Sequence, residues 1–248
     1  MTTSPMTNLS INLNKVALLR NQRDLTIPDV VRAARTVIDA GAHGITVHPR
    51  PDQRHIRPGD VRALAHLLAT EYPHIEYNME GNPFEDFLAL VREVRPTQAT
   101  LVPDDPDQKT SDHGWDIPTH AERLRGVIAE LHKLGVRVSL FVDADPGMMV
   151  HAREVGADRV ELYTEPYARA YGGREQAMVL DSYVRAAEAA RDRGLGVNAG
   201  HDLNLENLPT LRRAIPWLAE VSIGHAFTAD ALWVGFEGAV RAYLAALQ

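Results

Sequence analysis

Leu134-Gly135-Val136-Arg137-Val138-Ser139-Leu140-Phe141 holds the fold in miniature. An apolar stripe at helical spacing (Leu124, Val127, Ile128, Leu131, Leu134) runs into a glycine, and an apolar run follows at once. Glycine takes the left-handed conformation that ends a helix, and a buried β-branched run directly after it reads as a parallel strand. The same arrangement recurs on both sides of it. It appears as Ala40-Gly41-Ala42-His43-Gly44-Ile45-Thr46-Val47, as Val155-Gly156-Ala157-Asp158-Arg159-Val160-Glu161-Leu162, and as Arg193-Gly194-Leu195-Gly196-Val197-Asn198-Ala199.

Extended along the chain, this reading gives eight strand candidates: 10–14, 44–48, 75–80, 98–102, 136–142, 159–163, 195–199 and 220–223. Amphipathic helices separate them. Val30, Val31, Ala34, Val37 and Ile38 mark one stripe, Ala177, Leu180, Val184 and Ala187 another, and the stretch 231–247 the last. Asn82-Pro83-Phe84-Glu85 reads as an N-cap, a proline at the first helical position and a glutamate at the third. The helix at about 205–215 is interrupted by Pro209. Eight alternating units in 248 residues predict an α/β fold, a (β/α)8 TIM barrel, as one catalytic domain over 1–248 with extra short helices. A doubly wound sheet usually carries a glycine-rich turn after its first strand, and Asn12-Leu13-Asn14-Lys15 has no glycine.

Composition narrows the function. Hydrophobic residues make up 45% and charged residues 24%, which is globular, and the net charge is -7. With no Cys, thiol catalysis, Cys-bound zinc and iron–sulfur clusters are excluded. The longest apolar run, Val138–Val142, is interrupted by Ser139 and falls far short of the ~20 residues of a membrane span. The opening MTTSPMTNLS shows no basic n-region and no apolar h-region, so a cytoplasmic protein is expected. An acidic chain without a Lys/Arg cluster is a poor partner for nucleic acid.

Catalytic groups of a barrel sit where its strands end. Here almost every strand end is polar: Asn12, Asn14 and Lys15; His48 and Arg50; Asn78 and Glu80; Asp143; Glu161; Asn198 and His201; His225. Burying so many ionisable groups is costly unless they serve a site. Gly200-His201 and Gly224-His225 follow strands seven and eight, whose loops commonly hold phosphate, and Arg20, Arg23, Arg50 and His55 offer further positive charge. A phosphorylated substrate is therefore expected. Glu80, Glu161, His201 and His225 could alternatively ligate a divalent ion, although no HExxH and no acidic calcium loop is present. Asp104-Asp105-Pro106-Asp107 reads as a solvated acidic loop, His43, His66, His74, His120, His132 and His151 as surface or structural groups, and Trp217, Trp233 and Phe236 as packing or subunit contacts.

Gly44-Ile45-Thr46-Val47-His48-Pro49-Arg50 with Asp52-Gln53-Arg54-His55-Ile56 closely resembles the signature of the pyridoxine 5′-phosphate synthase family. So do Val138–Asp145, Val197-Asn198-Ala199-Gly200-His201 and Ile223-Gly224-His225-Ala226, in the family's order and spacing over nearly the whole chain. The resemblance implies a transferase-type, ring-closing enzyme of vitamin B6 biosynthesis. It would condense 1-deoxy-D-xylulose 5-phosphate with 3-amino-2-oxopropyl phosphate into pyridoxine 5′-phosphate, phosphate and water. It implies no metal, no organic cofactor, and homo-octamers built from dimers. The family's acid–base groups fall on His48, Glu80 and His201, with Glu161 as a further acidic residue. Its sugar-phosphate contacts fall on Arg50, His55 and Thr110, and its amino-ketone contacts on Asn12, Arg23, the backbone at Asp202, and Gly224-His225. Asn14-Lys15 stands where many members have Asp-His, which makes that substrate contact ionic here; Asp202 replaces a glycine and Thr164-Glu165 a Thr-Gly.

On this reading His48 and Glu80 act chiefly as bases and His201 as an acid, with Glu161 assisting. Two other functions fit the same barrel: a metal-dependent sugar-phosphate isomerase or epimerase, and a non-catalytic phosphate-ligand binding protein. The polar stretch 103–116, longer than ordinary βα connections, is expected to form a lid carrying Thr110.

Overall fold

The computed structural model describes residues 6–105, 108 and 111–248. All eight expected strands form: β1 (Asn8–Asn12), β2 (Gly44–Val47), β3 (Glu76–Gly81), β4 (Gln98–Leu101), β5 (Arg137–Val142), β6 (Arg159–Tyr163), β7 (Gly196–Gly200) and β8 (Glu220–Ile223). Each pairs in parallel with the next, and β8 returns to β1 with Glu220 opposite Asn8, so the sheet is a closed barrel in sequence order. Around it lie α1 (Asn14–Arg20), α2 (Val30–Asp39), α3 (Pro58–Glu71), α4 (Glu85–Val94), α5 (Ile117–Lys133), α6 (Pro146–Glu154), α7 (Glu165–Ala170), α8 (Gln176–Asp192), α9 (Leu208–Ala214) and α10 (His225–Ala246). The four repeated glycines do what their position asks. Gly41, Gly135, Gly156 and Gly194 have φ of 109°, 76°, 97° and 71°, each where a helix gives way to a strand.

Several local expectations shift. β1 ends at Asn12, so Asn14 and Lys15 open α1 instead of closing a strand. α4 begins at Glu85, because Asn82 spends its side chain elsewhere: its Nδ2 donates to the Asp104 carbonyl at 3.1 Å and its Oδ1 accepts from Arg123 at 2.9 Å. The polar stretch after β6 contains α7. Pro209 sits in the first turn of α9, where a missing N–H costs nothing. The last helix starts earlier than its apolar stripe, at His225, and breaks at Gly235, whose φ is 72°.

The strands are not uniformly apolar. Alternate residues face the helices and form the main core: Leu9, Ile11, Ile45, Val47, Met79, Leu101, Val138, Leu140, Val160, Leu162, Val221 and Ile223 are all fully buried there. The other set is polar and meets across the barrel. Ser10 bonds Thr46 at 2.7 Å, Asn78 donates to Thr46 at 3.3 Å, and Thr100 donates to Asn78 at 2.9 Å. At the N-terminal ends of the strands Arg159 approaches Glu220 at 3.5 Å and Glu76 at 3.7 Å, Arg137 also pairs with Glu76, and the Arg137 Nε donates to Gln98. These charges close the barrel floor, opposite the strand tips.

Candidate active site

At the C-terminal face the strand tips surround a cavity of about 630 Å³. His48, Glu80, Glu161 and His201 all line it, as do Asn12, Asn14, Lys15, Arg50, His55, Asp202, Gly224 and His225. Of the described residues expected from the sequence, Arg23 is not brought here. Arg23 is exposed and does not line the cavity, because α1 interposes two turns between the β1 tip and it. Thr110 lies outside the described residues. Arg20 is also committed elsewhere: its guanidinium grips Asp60 at 2.5 and 2.8 Å on the flank of the barrel.

Three strand tips are stitched together. The Asn12 Oδ1 accepts from the Asn14 N–H at 2.9 Å, and the Asn12 Nδ2 donates to Glu80 Oε2 at 3.3 Å. The Asn14 Oδ1 accepts from the His48 N–H at 2.9 Å, and the ring closes where His48 Nδ1 stands 3.9 Å from Glu80 Oε2. The acceptor oxygen is what this role requires, so Asn14 serves it as an aspartate would, without the charge. Lys15, one residue on, brings a cation to the rim.

Burial sets the protonation of the groups in the site. It holds His48 well below the usual imidazole range, helped by His55, Arg50 and His201. His55 is pushed down to about 4 by burial and then by Arg50 and Lys15, and burial also lowers His201 against the pull of Asp202 and Asp104. The carboxyls move the other way. Burial raises Glu80 well above the carboxylate range, with Glu161, Asp104 and Glu220 adding to the shift, and raises Glu161 to about 7. Near neutral pH the free site therefore holds neutral imidazoles beside carboxyls ready to donate or accept a proton.

Arg50 and Asp104 form a buried ion pair at 2.7 Å, each side chain 3% exposed. Arg50 also donates to the carbonyls of Asp105 at 2.9 Å and Gln108 at 2.6 Å, and Asp104 accepts from Ser111 at 2.8 Å. Asp104 is thus a structural anchor of the segment after β4 rather than part of a solvated acidic loop. For Gly200 and Gly224 the sequence leaves two readings, close approach of an anion or a tight turn. Gly200 instead makes room for Glu161, and Gly224 precedes the first residue of α10, placing that helix N-terminus at the cavity wall. Among the described residues no three of His, Asp or Glu are grouped to hold a metal ion.

A family model described as "Pyridoxal phosphate biosynthesis protein PdxJ" matches residues 9–248. The chain belongs to the PdxJ family. It is 57% identical over 243 residues to the pyridoxine 5′-phosphate synthase of Albidiferax ferrireducens, covering 96% of each chain. It is 54% identical over 243 residues to that of a Chelativorans species, covering 97% of this chain and 98% of the other. Among solved structures, 3-keto-L-gulonate-6-phosphate decarboxylase from Vibrio cholerae superposes with a TM-score of 0.66 at 12% identity, covering 98% of both chains. Phosphoribosyl anthranilate isomerase from Thermotoga maritima gives 0.62 at 15% identity with the same coverage. At such identities the likeness shows the barrel alone.

The PdxJ cavity also takes in residues to which sequence reading gave no role: Tyr163, Glu165, Ser222, Ser111 and Arg54. The strand period carries a signal for two of them that the reading did not use. Tyr163 lies two residues beyond Glu161 on β6, and Ser222 two before Gly224, so each shares the inner face with a residue already marked. The remaining histidines are structural or superficial, as expected: the His43 Nδ1 accepts the Leu9 N–H at 3.1 Å, and His132 pairs with Asp158 at 2.8 Å. Trp217 lies under Arg191, whose charge is 3.9 Å from the ring centre, and Phe236 stacks on Phe227.

Proposed function

We propose that this chain, as a single catalytic barrel, condenses 1-deoxy-D-xylulose 5-phosphate with 3-amino-2-oxopropyl phosphate to give pyridoxine 5′-phosphate, phosphate and water. The observation that carries the reading is the convergence of His48, Glu80, Glu161 and His201 on one cavity whose rim holds Lys15, Arg50, His55 and the start of α10. Membership of the PdxJ family and the names of its relatives support it. The reaction asks an amine to attack a ketone, water to leave, a C–H proton to be removed, phosphate to be expelled and a ring to close. Each proton transfer needs a positioned group that titrates near working pH.

His48 begins neutral and is the first base. Glu80 begins protonated; it becomes a base once it has given its proton to the water that leaves in the condensation. His201 also begins neutral and takes up a proton when anionic substrate enters, since nearby negative charge raises an imidazole. It then serves as the acid for the leaving oxygen, with Glu161 exchanging protons near pH 7. Lys15, Arg50 and His55 face the sugar phosphate. Asn12, the backbone of Asp202, and Gly224-His225 at the α10 N-terminus face the amino-ketone phosphate.

The assembly proposed is a homo-octamer built from dimers in the cytoplasm. Leu232, Trp233 and Val234 support a subunit contact: they are 72, 86 and 58% exposed in succession beside the Gly235 break. No helix among the described residues is long and apolar enough to cross a membrane. The test of the reaction is phosphate release. It is expected only when both substrates are present, and unchanged by EDTA. Conversion of the sugar phosphate alone into an isomer without phosphate release, lost with EDTA and restored by Mn²⁺ or Mg²⁺, would favour a metal-dependent isomerase.

A further inference from the structure

His201 is held in an unusual way. Its φ is 66°, in the left-handed region that a residue with a Cβ rarely occupies. A histidine that moves protons is ordinarily aimed by a carboxylate or carbonyl on its second ring nitrogen. No side chain among the described residues hydrogen-bonds to the His201 imidazole. Two aromatic rings from the neighbouring strands meet it instead. The Phe141 centroid lies 5.1 Å away at 56°, and Tyr163 lies 5.7 Å away at 86°, edge to face. The two rings also brace each other at 5.5 Å, so the three form a closed triangle across β5, β6 and the end of β7.

We infer that Phe141 and Tyr163 are the positioning residues of His201, fixing its imidazole by ring packing where no hydrogen-bond partner among the described residues does. Aromatic pairs at these separations and tilts attract through their quadrupoles, and they bring no charge. They also keep water from one side of the imidazole, which is the burial that lowers its proton affinity. The charged groups that act on His201 are Asp202 and Asp104, which favour its protonation, and Lys15, which opposes it; His201 in turn helps to keep His48 neutral. The Tyr163 hydroxyl is pushed up to about 12, chiefly by burial, so at working pH it stays neutral and the ring acts as an apolar wall. Sequence reading marked neither residue, because an aromatic on an inner strand face reads as core.

The inference rests on His201 as the acid of the proposed reaction, and the experiment separates the two. Tyr163→Leu and Phe141→Leu are compared with wild type and with Tyr163→Phe, with folding checked by thermal melts. In each, kcat and KM are measured for both substrates, and the His201 titration is followed by NMR in the free enzyme. The Leu variants are expected to lose on the order of tenfold to a hundredfold in kcat, with KM within about threefold. Their His201 midpoint moves up, toward the ordinary 6.5, and Tyr163→Phe restores both values. A shifted midpoint with unchanged kcat supports the positioning and removes His201 from the chemistry. Folded Leu variants with a wild-type midpoint and kcat would overturn the inference. So would a Tyr163→Phe variant as impaired as Tyr163→Leu, since the hydroxyl and not the ring would then be at work.

Discussion

Gly200 has no side chain because Glu161 occupies the space. A Cβ at position 200 would stand 2.4 Å from Glu161 Oε1, closer than any real contact. The Gly200 carbonyl is meanwhile gripped by the Thr164 hydroxyl, so the backbone there is tethered and it is the carboxyl that must yield. Gly200→Ala is therefore expected to turn Glu161 away from the cavity. Because the displaced atom is the end of a flexible chain, the fold survives; a loss of tenfold or more in kcat is expected, on the order of what small misplacements cost. Kinetics beside a thermal melt will check it, and a folded Gly200→Ala enzyme of normal kcat would count against a role for Glu161.

Glu80→Gln keeps the shape of the side chain and an oxygen for Asn12 to donate to. It removes the proton that Glu80 is proposed to give up and take back. Turnover is expected to fall by ~10²–10⁴ with an unchanged melt.

Arg50→Ala would strand Asp104, a buried carboxylate that, among the described residues, keeps only Ser111 as a side-chain partner. Breaking one side of a buried pair costs about 3–5 kcal/mol, whereas replacing both sides by apolar groups is often neutral. Arg50→Met with Asp104→Leu should recover most of the stability lost by Arg50→Ala, as read by denaturant unfolding. It should not recover the KM for the sugar phosphate, if Arg50 also binds that group.

Glu161 gives stability a pH dependence of known sign. Its carboxyl rises from 4.5 to about 7 on folding, chiefly through burial, so the native state prefers the protonated form. That preference is fully present below about pH 4.5 and is lost as pH rises through about 7. A shift of this size corresponds to on the order of 3 kcal/mol. Glu161→Gln does not titrate, so between pH 5 and 8 it should lose less stability than wild type. Parallel pH–stability curves for the two proteins would show that Glu161 does not carry this burden.

The architecture was legible because one local rule, helix then glycine then apolar run, repeats often enough to impose a barrel. The candidate site was legible where ionisable residues stand at or just past strand ends, as His48, Glu80 and His201 do, with Glu161 in the middle of β6. What sequence could not supply was partnership. Asp104 resembles any loop aspartate until Arg50 is found against it, and Asn82 resembles a helix cap until it reaches Asp104 and Arg123. The polar barrel interior was hidden for a related reason. Ser10, Thr46, Asn78 and Thr100 come from four separated segments, and only the register of β1 to β4 brings them into one bonded row. Burial likewise decides protonation, and it raises Glu80 well above the carboxylate range, so that Glu80 must give up a proton before it can act as a base.

The central claim is tested most directly by mixing purified protein with 1-deoxy-D-xylulose 5-phosphate and 3-amino-2-oxopropyl phosphate and following the product by absorbance and mass. Pyridoxine 5′-phosphate should appear only when both substrates are present, and ~10²–10⁴ more slowly with Glu80→Gln. A folded wild-type protein that yields none, or that converts the sugar phosphate alone into an isomer, would contradict it.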